Sequence, residues 1–268
     1  MQQYHQEEIR SKLDKVNRDL QLHCSKTNLQ PYYKPNISLD TVSYDVNLGS
    51  FSNQIRTKGY FVVDDFFNHS VLYEMNNFLL THPYSSASDS GVHHLNVPFC
   101  KIIVEDVKAV YRDLENYELD KSFFTLHWYD EPTALFYNRY DGIKLEVFLT
   151  PTEHNLIESL GGISLHKPDN SFVSSTTPFY THVDYKEMKT NIEGAPFYDK
   201  YIGYKFNRAV FTDYSLVTSS PDIRFENEVH KAKKSINIFL KKKTWHIYLK
   251  VCKIHYVTRG MYYEITRV

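Results

Sequence analysis

One short motif in this 268-residue chain has the residue types of a metal site. Thr181-His182-Val183-Asp184 contains a histidine and an aspartate two positions apart, and His230 is a further histidine downstream. Two imidazoles and one carboxylate on the same side of a divalent metal ion leave the opposite coordination positions open for reacting molecules. The alternative is an ordinary surface loop, because a His-x-Asp triplet arises readily by chance in a chain with 13 histidines.

The elements that must position a site lie mostly in the second half of the chain. An apolar strand at 209–211 leads into a polar, turn-rich loop, and the chain returns through an alternating strand at 235–240. Upstream, a Thr-Pro, Asn-Leu, Gly-Gly series runs from Thr150 to Gly162, and the apolar segment 59–66 precedes a predicted helix. The order and spacing of these segments resemble those of the Fe(II)/2-oxoglutarate oxygenases over roughly residues 55–240.

The resemblance implies a double-stranded β-helix. In that family a His-x-Asp motif and a second histidine hold iron, and an arginine at the start of the last core strand holds the 2-oxoglutarate carboxylate. In this chain the four positions fall on Tyr137, Arg139, Thr218 and Ser235. Arginine would repel Fe²⁺, and tyrosine and threonine are poor substitutes for imidazole. We therefore predict that the metal and co-substrate residues have been lost, that no cofactor is bound, and that the three metal positions meet at one mouth of the barrel.

Two enzyme hypotheses stand against this prediction. The first is an active Fe(II)/2-oxoglutarate-dependent dioxygenase that uses His182, Asp184 and His230 with Fe(II) and 2-oxoglutarate. By the resemblance, His182 and Asp184 follow the Gly-Gly pair in a region that varies in the family, so we expect them on a loop outside the barrel and too far from His230 to share a metal ion. The second is a sugar- or nucleotide-modifying enzyme that uses the barrel without a metal. Lys233 and Lys234 flank Ser235, and one of them could bind an anion.

Composition limits the classes of function. A net charge of −1 provides no overall field to attract nucleic acid or an anionic membrane, and no apolar run approaches the length of a membrane span. The three cysteines are far apart and form no CxxC pair, which is typical of reduced thiols inside cells. With no signal peptide recognisable, we expect a cytoplasmic or virion protein. Frequent Tyr, Asn, Lys and Ile are typical of an AT-rich genome and favour a viral or phage source.

An N-terminal helix is predicted over residues 5–24. Its apolar residues recur at spacings of four, three and four, as Ile9, Leu13, Val16 and Leu20. Such a narrow stripe packs either on the chain's own domain or on a protein partner or second copy of the chain. The prolines at 31 and 35 predict an extended arm over 25–50.

These patterns together predict a mainly β (α+β) fold. Residues 1–50 form the helix and arm, 51–242 a jelly-roll-like double-stranded β-helix with outer helices, and 243–268 a C-terminal β-meander extension of the same domain. Two further helices are expected, one ended by His82-Pro83 and one over 104–116, with an irregular segment at 84–98. Strands are expected at 59–63, 123–129, 133–138, 143–149, 163–166, 201–204, 208–212 and 235–240. The predicted function is that of a non-catalytic oxygenase-like protein, a binding or structural component with a protein partner or a homo-oligomeric state.

Overall fold

The computed structural model describes residues 2–38, 40–43, 51–87, 92–127, 133–136, 142–166, 200–220 and 223–243. The helices are α1 (Gln2–Thr27), α2 (Phe51–Lys58), α3 (His69–Thr81) and α4 (Cys100–Val110). The strands before the barrel are β1 (Tyr60–Val63), β2 (Ser86–Ala87) and β3 (Val92–Asn96). The barrel strands are β4 (Tyr117–His127), β5 (Thr133–Phe136), β6 (Gly142–Phe148), β7 (Ile163–His166), β8 (Lys200–Ile202), β9 (Ala209–Asp213), β10 (Val217–Ser220) and β11 (Lys233–Lys242). The predicted meander at 244–267 lies outside the described residues, as do His182 and Asp184.

Two antiparallel sheets form the barrel. The large sheet has the order β1-β9-β6-β11-β4-β3-β2, and the small sheet has the order β5-β10-β7-β8. From β4 to β7, successive strands alternate between the large and the small sheet, and they alternate again from β8 to β11. The chain therefore winds twice around one axis as a double-stranded β-helix, and the predicted fold class is confirmed.

The large sheet is buried on both faces. One face carries Ile143, Leu145 and Val147 of β6 and packs in the same hydrophobic core as the helices. The opposite face carries Phe148 and packs with Leu165 of the small sheet. Because successive side chains of a strand point to opposite faces, the residues between Ile143, Leu145 and Val147 point into the barrel. The interior of the barrel is thus lined by the polar half of an alternating pattern.

Helix α1 packs on its own chain. Val16 and Leu20 are buried in the core that the helices share with the sheet, and Leu13 is partly buried against it. The apolar surface of Val16 and Leu20 is thus removed from water by the chain's own core, and binding of a partner by the four-residue stripe stays a prediction. The hypothesis that the helix packs on its own domain accounts for Val16 and Leu20, whereas Ile9 stays half-exposed. No helix in the part of the chain that the structure describes combines the length and apolar character needed to cross a bilayer.

Several element boundaries differ from the predicted ones. The segment 84–98, predicted to be irregular, contains β2 and β3, and β3 pairs with β4 along its whole length. The predicted helix at 104–116 ends at Val110 and is followed by a 3₁₀ turn at Arg112–Leu114. Helix α2 and strand β10 were not predicted. The turn into β7 is as predicted, since Gly161 adopts φ +81° and a Cβ on Gly162 would lie 2.0 Å from the carbonyl oxygen of Ile202.

Candidate functional site

Thr218, the predicted position of the second iron histidine, lies in β10 of the small sheet. It pairs with Phe136, the last residue of β5. Tyr137, which follows Phe136 in sequence, and Arg139 lie outside the described residues. Thr218 thus lies beside the end of β5, the strand that precedes Tyr137 and Arg139 in sequence. That the three side chains meet at one mouth stays a prediction.

A series of buried hydrogen bonds connects Thr218 with Ser235 across the barrel interior. The Lys144 ammonium donates to Thr218 Oγ1 at 3.2 Å and to Glu146 Oε2 at 2.7 Å. The Ser235 hydroxyl donates to the other carboxylate oxygen, Glu146 Oε1, at 3.2 Å. Both oxygens of the buried carboxylate are therefore hydrogen-bonded, which offsets the cost of removing its charge from water.

Hydroxyl and amide groups extend this network onto neighbouring strands. Thr125 Oγ1 of β4 lies 2.7 Å from Ser235 Oγ, and Asn237 Nδ2 donates to both hydroxyls at 3.3 and 3.2 Å. All three of these side chains are buried. A buried polar network fixes the positions of its members when each is satisfied, so Thr125, Ser235 and Asn237 form an ordered polar layer.

The carboxyl group of Glu146 is held in its ionised form. Burial by itself raises its pKa, but the positive charges of Lys144 and Lys233 and the hydrogen bonds from Lys144 and Ser235 outweigh burial. The net result is a pKa below the ordinary value for glutamate. The barrel interior therefore carries a permanent anion that is matched by lysine ammonium groups.

Strand β11 begins at Lys233, two residues earlier than predicted. Ser235 is therefore the third residue of the strand, and its correspondence to the carboxylate-binding arginine stays a prediction. The Lys233 side chain is fully buried, with Nζ 3.5 Å from the carbonyl oxygen of Gly162 and 5.3 Å from the centroid of the Phe148 ring. Burial lowers its pKa to about 8, with the charge of Glu146 acting in the opposite direction.

His127 lies opposite Lys233 on β4. Its side chain is buried, and its Nδ1 has no hydrogen-bond partner among the residues that the structure describes. Burial, followed by the charge of Lys233, lowers the pKa of His127 well below its ordinary value, so the imidazole is neutral. This end of the interior therefore presents one neutral imidazole and one ammonium.

His230 lies on the outer side of the large sheet. Its ring stacks on His23 of α1 with centroids 4.3 Å apart and an interplanar angle of 18°. Its Nε2 is 3.5 Å from Glu228 Oε2. The other two members of the alternative triad, His182 and Asp184, are not among the described residues. That they lie too far from His230 to share a metal ion therefore stays a prediction.

The described residues around Thr218 do not suit an iron ion. Within the ranges that the structure describes, no three His, Cys, Asp or Glu side chains come together as ligands. The hydroxyl of Thr218 already accepts from an ammonium, and both oxygens of Glu146 are engaged. A 2-oxoglutarate carboxylate, by contrast, would match the charge of Lys233 at the start of β11.

Lys144 and Glu146 were not among the site residues predicted from the sequence. The pattern Ile143-Lys144-Leu145-Glu146-Val147 alternates as it would in a strand with one solvated face. The signal that could have found them is the predicted position of this strand in a closed barrel, where neither face of the sheet meets solvent. Charges in such a strand must be paired, and the pair lies two residues apart on one face.

Comparisons with known proteins support the fold. No family model matches the sequence, and no curated protein matches it significantly. HygX from Streptomyces hygroscopicus, solved with nickel and 2-oxoglutarate bound, aligns with a TM-score of 0.52 at 8% identity, over 74% of this chain and 89% of that chain. SnoN, a non-heme alpha ketoglutarate dependent epimerase from nogalamycin biosynthesis, aligns with a TM-score of 0.50 at 13% identity, over 73% of this chain and 83% of that chain. The chain thus shares the fold of Fe(II)/2-oxoglutarate oxygenases, as the resemblance predicted.

Proposed function

We propose that this chain is a non-catalytic protein with the oxygenase fold, in which a buried ion pair stands in place of iron and the barrel serves binding or assembly. The observation that carries the proposal is the contact of the Lys144 ammonium with Thr218 Oγ1 at 3.2 Å and with Glu146 Oε2 at 2.7 Å. The ammonium group of Lys144 is thus the cation that lies next to Thr218.

The charge of Lys144 opposes a metal ion next to Thr218. Two unit charges 4 Å apart interact by about 4 kcal/mol at an effective dielectric constant of 20, so the repulsion between an ammonium and a divalent ion at that distance is about 8 kcal/mol. The carboxylate of Glu146 would offset part of this repulsion only by giving up its pairing with Lys144. The ion pair and a metal centre are therefore alternatives for this part of the interior.

A barrel without a metal centre can still hold a ligand or a partner. Lys233 is the cation that would bind an anionic group in the interior, because it lies at the start of β11 on the same strand as Ser235. The outer surface of the helices and any strands after Lys243 would serve contact with a protein partner or a second copy. The composition favours a viral or phage component with this role.

The active-oxygenase hypothesis requires His230 to reach the same metal ion as His182 and Asp184. The position of His230 supports the non-catalytic proposal, since its ring is stacked on His23 on the outer side of the sheet. In the active hypothesis Fe(II) and 2-oxoglutarate are required; in the non-catalytic one neither is.

Metal analysis of the purified chain tests the proposal. We expect less than stoichiometric iron, no thermal stabilisation by Mn²⁺ added with 2-oxoglutarate, and the same result for His182→Ala. One iron per chain that disappears in His182→Ala or His230→Ala would establish the triad and overturn the proposal. Stabilisation by 2-oxoglutarate without metal, lost in Lys233→Met, would instead identify the barrel as a metal-free carboxylate-binding protein.

A further inference from the structure

Helix α1 packs on β2, and β2 pairs with the strand that carries the buried His93. His93 of β3 is fully buried, and neither ring nitrogen has a partner among the described residues. The ring of Tyr84 lies 6.4 Å away, and its hydroxyl is also unpartnered in this part of the chain. Asn17 of α1 ties the Tyr84 backbone to the helix, accepting from its N–H at 2.8 Å and donating to its carbonyl at 3.1 Å. A charged imidazole in this place would be costly, because nothing described there can accept its protons.

A second histidine contact holds the C-terminal half of α1. His23 stacks on His230 of the segment before β11, with centroids 4.3 Å apart. One residue later, the Cys24 thiol donates to the carbonyl oxygen of Leu80 at 2.8 Å, so the same turn of the helix also contacts α3. The stack therefore joins α1 to the barrel at a point where the helix is otherwise held by α3. Protonation of both stacked rings would place two positive charges in contact.

Positive groups outnumber negative ones around these histidines. Lys12 of α1 is the positive group that acts on His93, and no carboxylate among the described residues acts on it. His127 of β4 is also close enough to interact with His93, but its imidazole is neutral. The groups that act on the His23–His230 pair are Lys26 of α1, Lys234 of β11, Lys231 and Glu228. Glu228 also pairs with Lys231 at 2.9 Å, so its charge is shared. Proton uptake by the histidines is thus opposed at both ends of the helix.

We propose that α1 is an acid-released element, in which protonation of His93, His23 and His230 frees the helix from the sheet while the barrel stays folded. Two observations support the proposal. Near one half of the helix is a buried imidazole that has no hydrogen-bond partner among the described residues, and at the other half is the stacked His23–His230 pair. Release would expose Val16 and Leu20, the two stripe residues that the helix buries when docked. The inference does not depend on whether the barrel is catalytic.

The direction of the effect follows from proton linkage. Burial lowers the pKa of His93 to about 4, and burial first and neighbouring positive charges second lower the pKa of His23 and of His230. Docking is therefore at full strength above the ordinary histidine pKa of about 6.5 and weakens as the pH falls below it. Each histidine that binds its proton only after release increases the release equilibrium by up to tenfold per pH unit. His93 alone can contribute up to about 300-fold between pH 6.5 and 4.

The barrel is expected to tolerate the same change in pH. The Lys144–Glu146 pair is the main buried charge pair in its described interior, and Glu146 has a pKa below its ordinary value. Glu146 therefore stays ionised at pH 5, and the pair stays intact. The helix should therefore be released at a higher pH than the pH at which the barrel unfolds.

Hydrogen exchange of the full chain, followed by mass spectrometry and corrected for the intrinsic pH dependence of exchange, tests the proposal. We expect the protection of α1 amides to fall at least tenfold between pH 7 and pH 5, while peptides from β6 and β11 keep their protection. Unchanged protection of α1 over this range would overturn the proposal. So would a simultaneous loss in α1 and β6, because that result means global unfolding.

Variants assign the effect to the histidines. His93→Phe keeps a ring beside Tyr84 without a titrating group, and His23→Gln/His230→Gln removes the stacked pair; each set should reduce the acid-induced loss of α1 protection. His69→Gln is the matched control, because His69 is exposed at the start of α3 and away from α1. If His93→Phe does not fold, the test of the proposal rests on His23→Gln/His230→Gln alone. A wild-type response of that variant would exclude the stacked pair and overturn the proposal.

Discussion

Lys144 and Glu146 form an ion pair inside the barrel, with Nζ and Oε2 2.7 Å apart and both side chains only 6% exposed. The two residues share one face of β6 because they are two positions apart. Each also bonds to the position that the oxygenase resemblance marks for iron or co-substrate, Lys144 to Thr218 and Glu146 to Ser235. The pair therefore connects Thr218 of the small sheet with Ser235 of the large sheet.

Removal of one partner should destabilise the barrel strongly. In Glu146→Gln the Lys144 ammonium stays buried without its anion, and breaking a buried pair in this way costs about 3–5 kcal/mol. We expect a loss of that size in the free energy of unfolding, measured by urea denaturation. Glu228→Gln is the control, because it removes one carboxylate from a solvent-exposed pair with Lys231 and should change little. Equal effects of the two variants would contradict the assignment of the buried pair.

Stability should rise with pH in the mildly alkaline range because of Lys234. This side chain is buried, its Nζ donates to the carbonyl of His230 at 2.6 Å, and burial lowers its pKa to about 7. In the unfolded chain the ammonium persists to about pH 10.4, so between pH 7 and 10 the unfolded state holds about one more proton. The free energy of unfolding therefore increases with pH, by up to about 1.4 kcal/mol per pH unit.

Urea unfolding at pH 7.0, 8.25 and 9.5 checks this slope. Lys234→Met should flatten it, with a smaller remaining slope above pH 8 from Lys233, whose pKa is about 8. Lys242→Met, at the exposed end of the same strand, should keep the wild-type slope. A wild-type chain that loses stability steadily from pH 7 to 9.5 would show that Lys234 stays charged in the folded state.

Most barrel strands could be predicted from local patterns, with β10 as an exception, but the polar interior could not. Strand β7 has the predicted bounds and α3 ends before His82 as predicted, because each is set by nearby residues. The contact of Lys144 with Thr218 spans 74 positions, and that of Ser235 with Glu146 spans 89. Such contacts depend on strand pairing over long distances, which the alternation of one strand does not encode.

The segment with His93 was missed for a related reason. Its serines, aspartates and histidines predict a solvated loop, yet β3 pairs with β4 and His93 is fully buried. Helix α1 contacts the same segment, since Asn17 hydrogen-bonds to the backbone of Tyr84, 67 positions later in the chain. The start of β11 was missed because Lys233 and Lys234 are charged, although both are buried where the strand enters the sheet.

The extended arm after α1 should depend on one carboxylate of α4. Asp106 Oδ2 accepts from the Thr41 N–H at 2.5 Å, the Thr41 hydroxyl at 2.7 Å and the Val42 N–H at 2.9 Å. Hydrogen bonds to a charged acceptor are worth about 1.5–3 kcal/mol each, so Asp106→Ala should cost about 3 kcal/mol after partial relaxation. Chymotrypsin should also cleave after the exposed Tyr32 of the arm faster in this variant. Asp113→Ala, on an exposed turn, is the control, and equal cleavage rates in both variants would show that the arm is held by other contacts.

Asn207 should be required both for its side chain and for its backbone conformation. It adopts φ +58°, and its amide pairs with the Phe67 backbone, accepting from the N–H and donating to the carbonyl, both at 2.9 Å. Asn207→Ala loses both bonds and keeps the left-handed conformation at a cost of about 1–2 kcal/mol, for a total of about 3 kcal/mol. Asn207→Gly loses the same bonds without the strain, so it should be about 1 kcal/mol more stable than Asn207→Ala. Urea midpoints with unchanged m-values measure both differences. Equal stability of the alanine and glycine variants would mean that the backbone relaxes, and a neutral alanine variant would mean that the Phe67 contact does not hold the start of α3 to the start of β9.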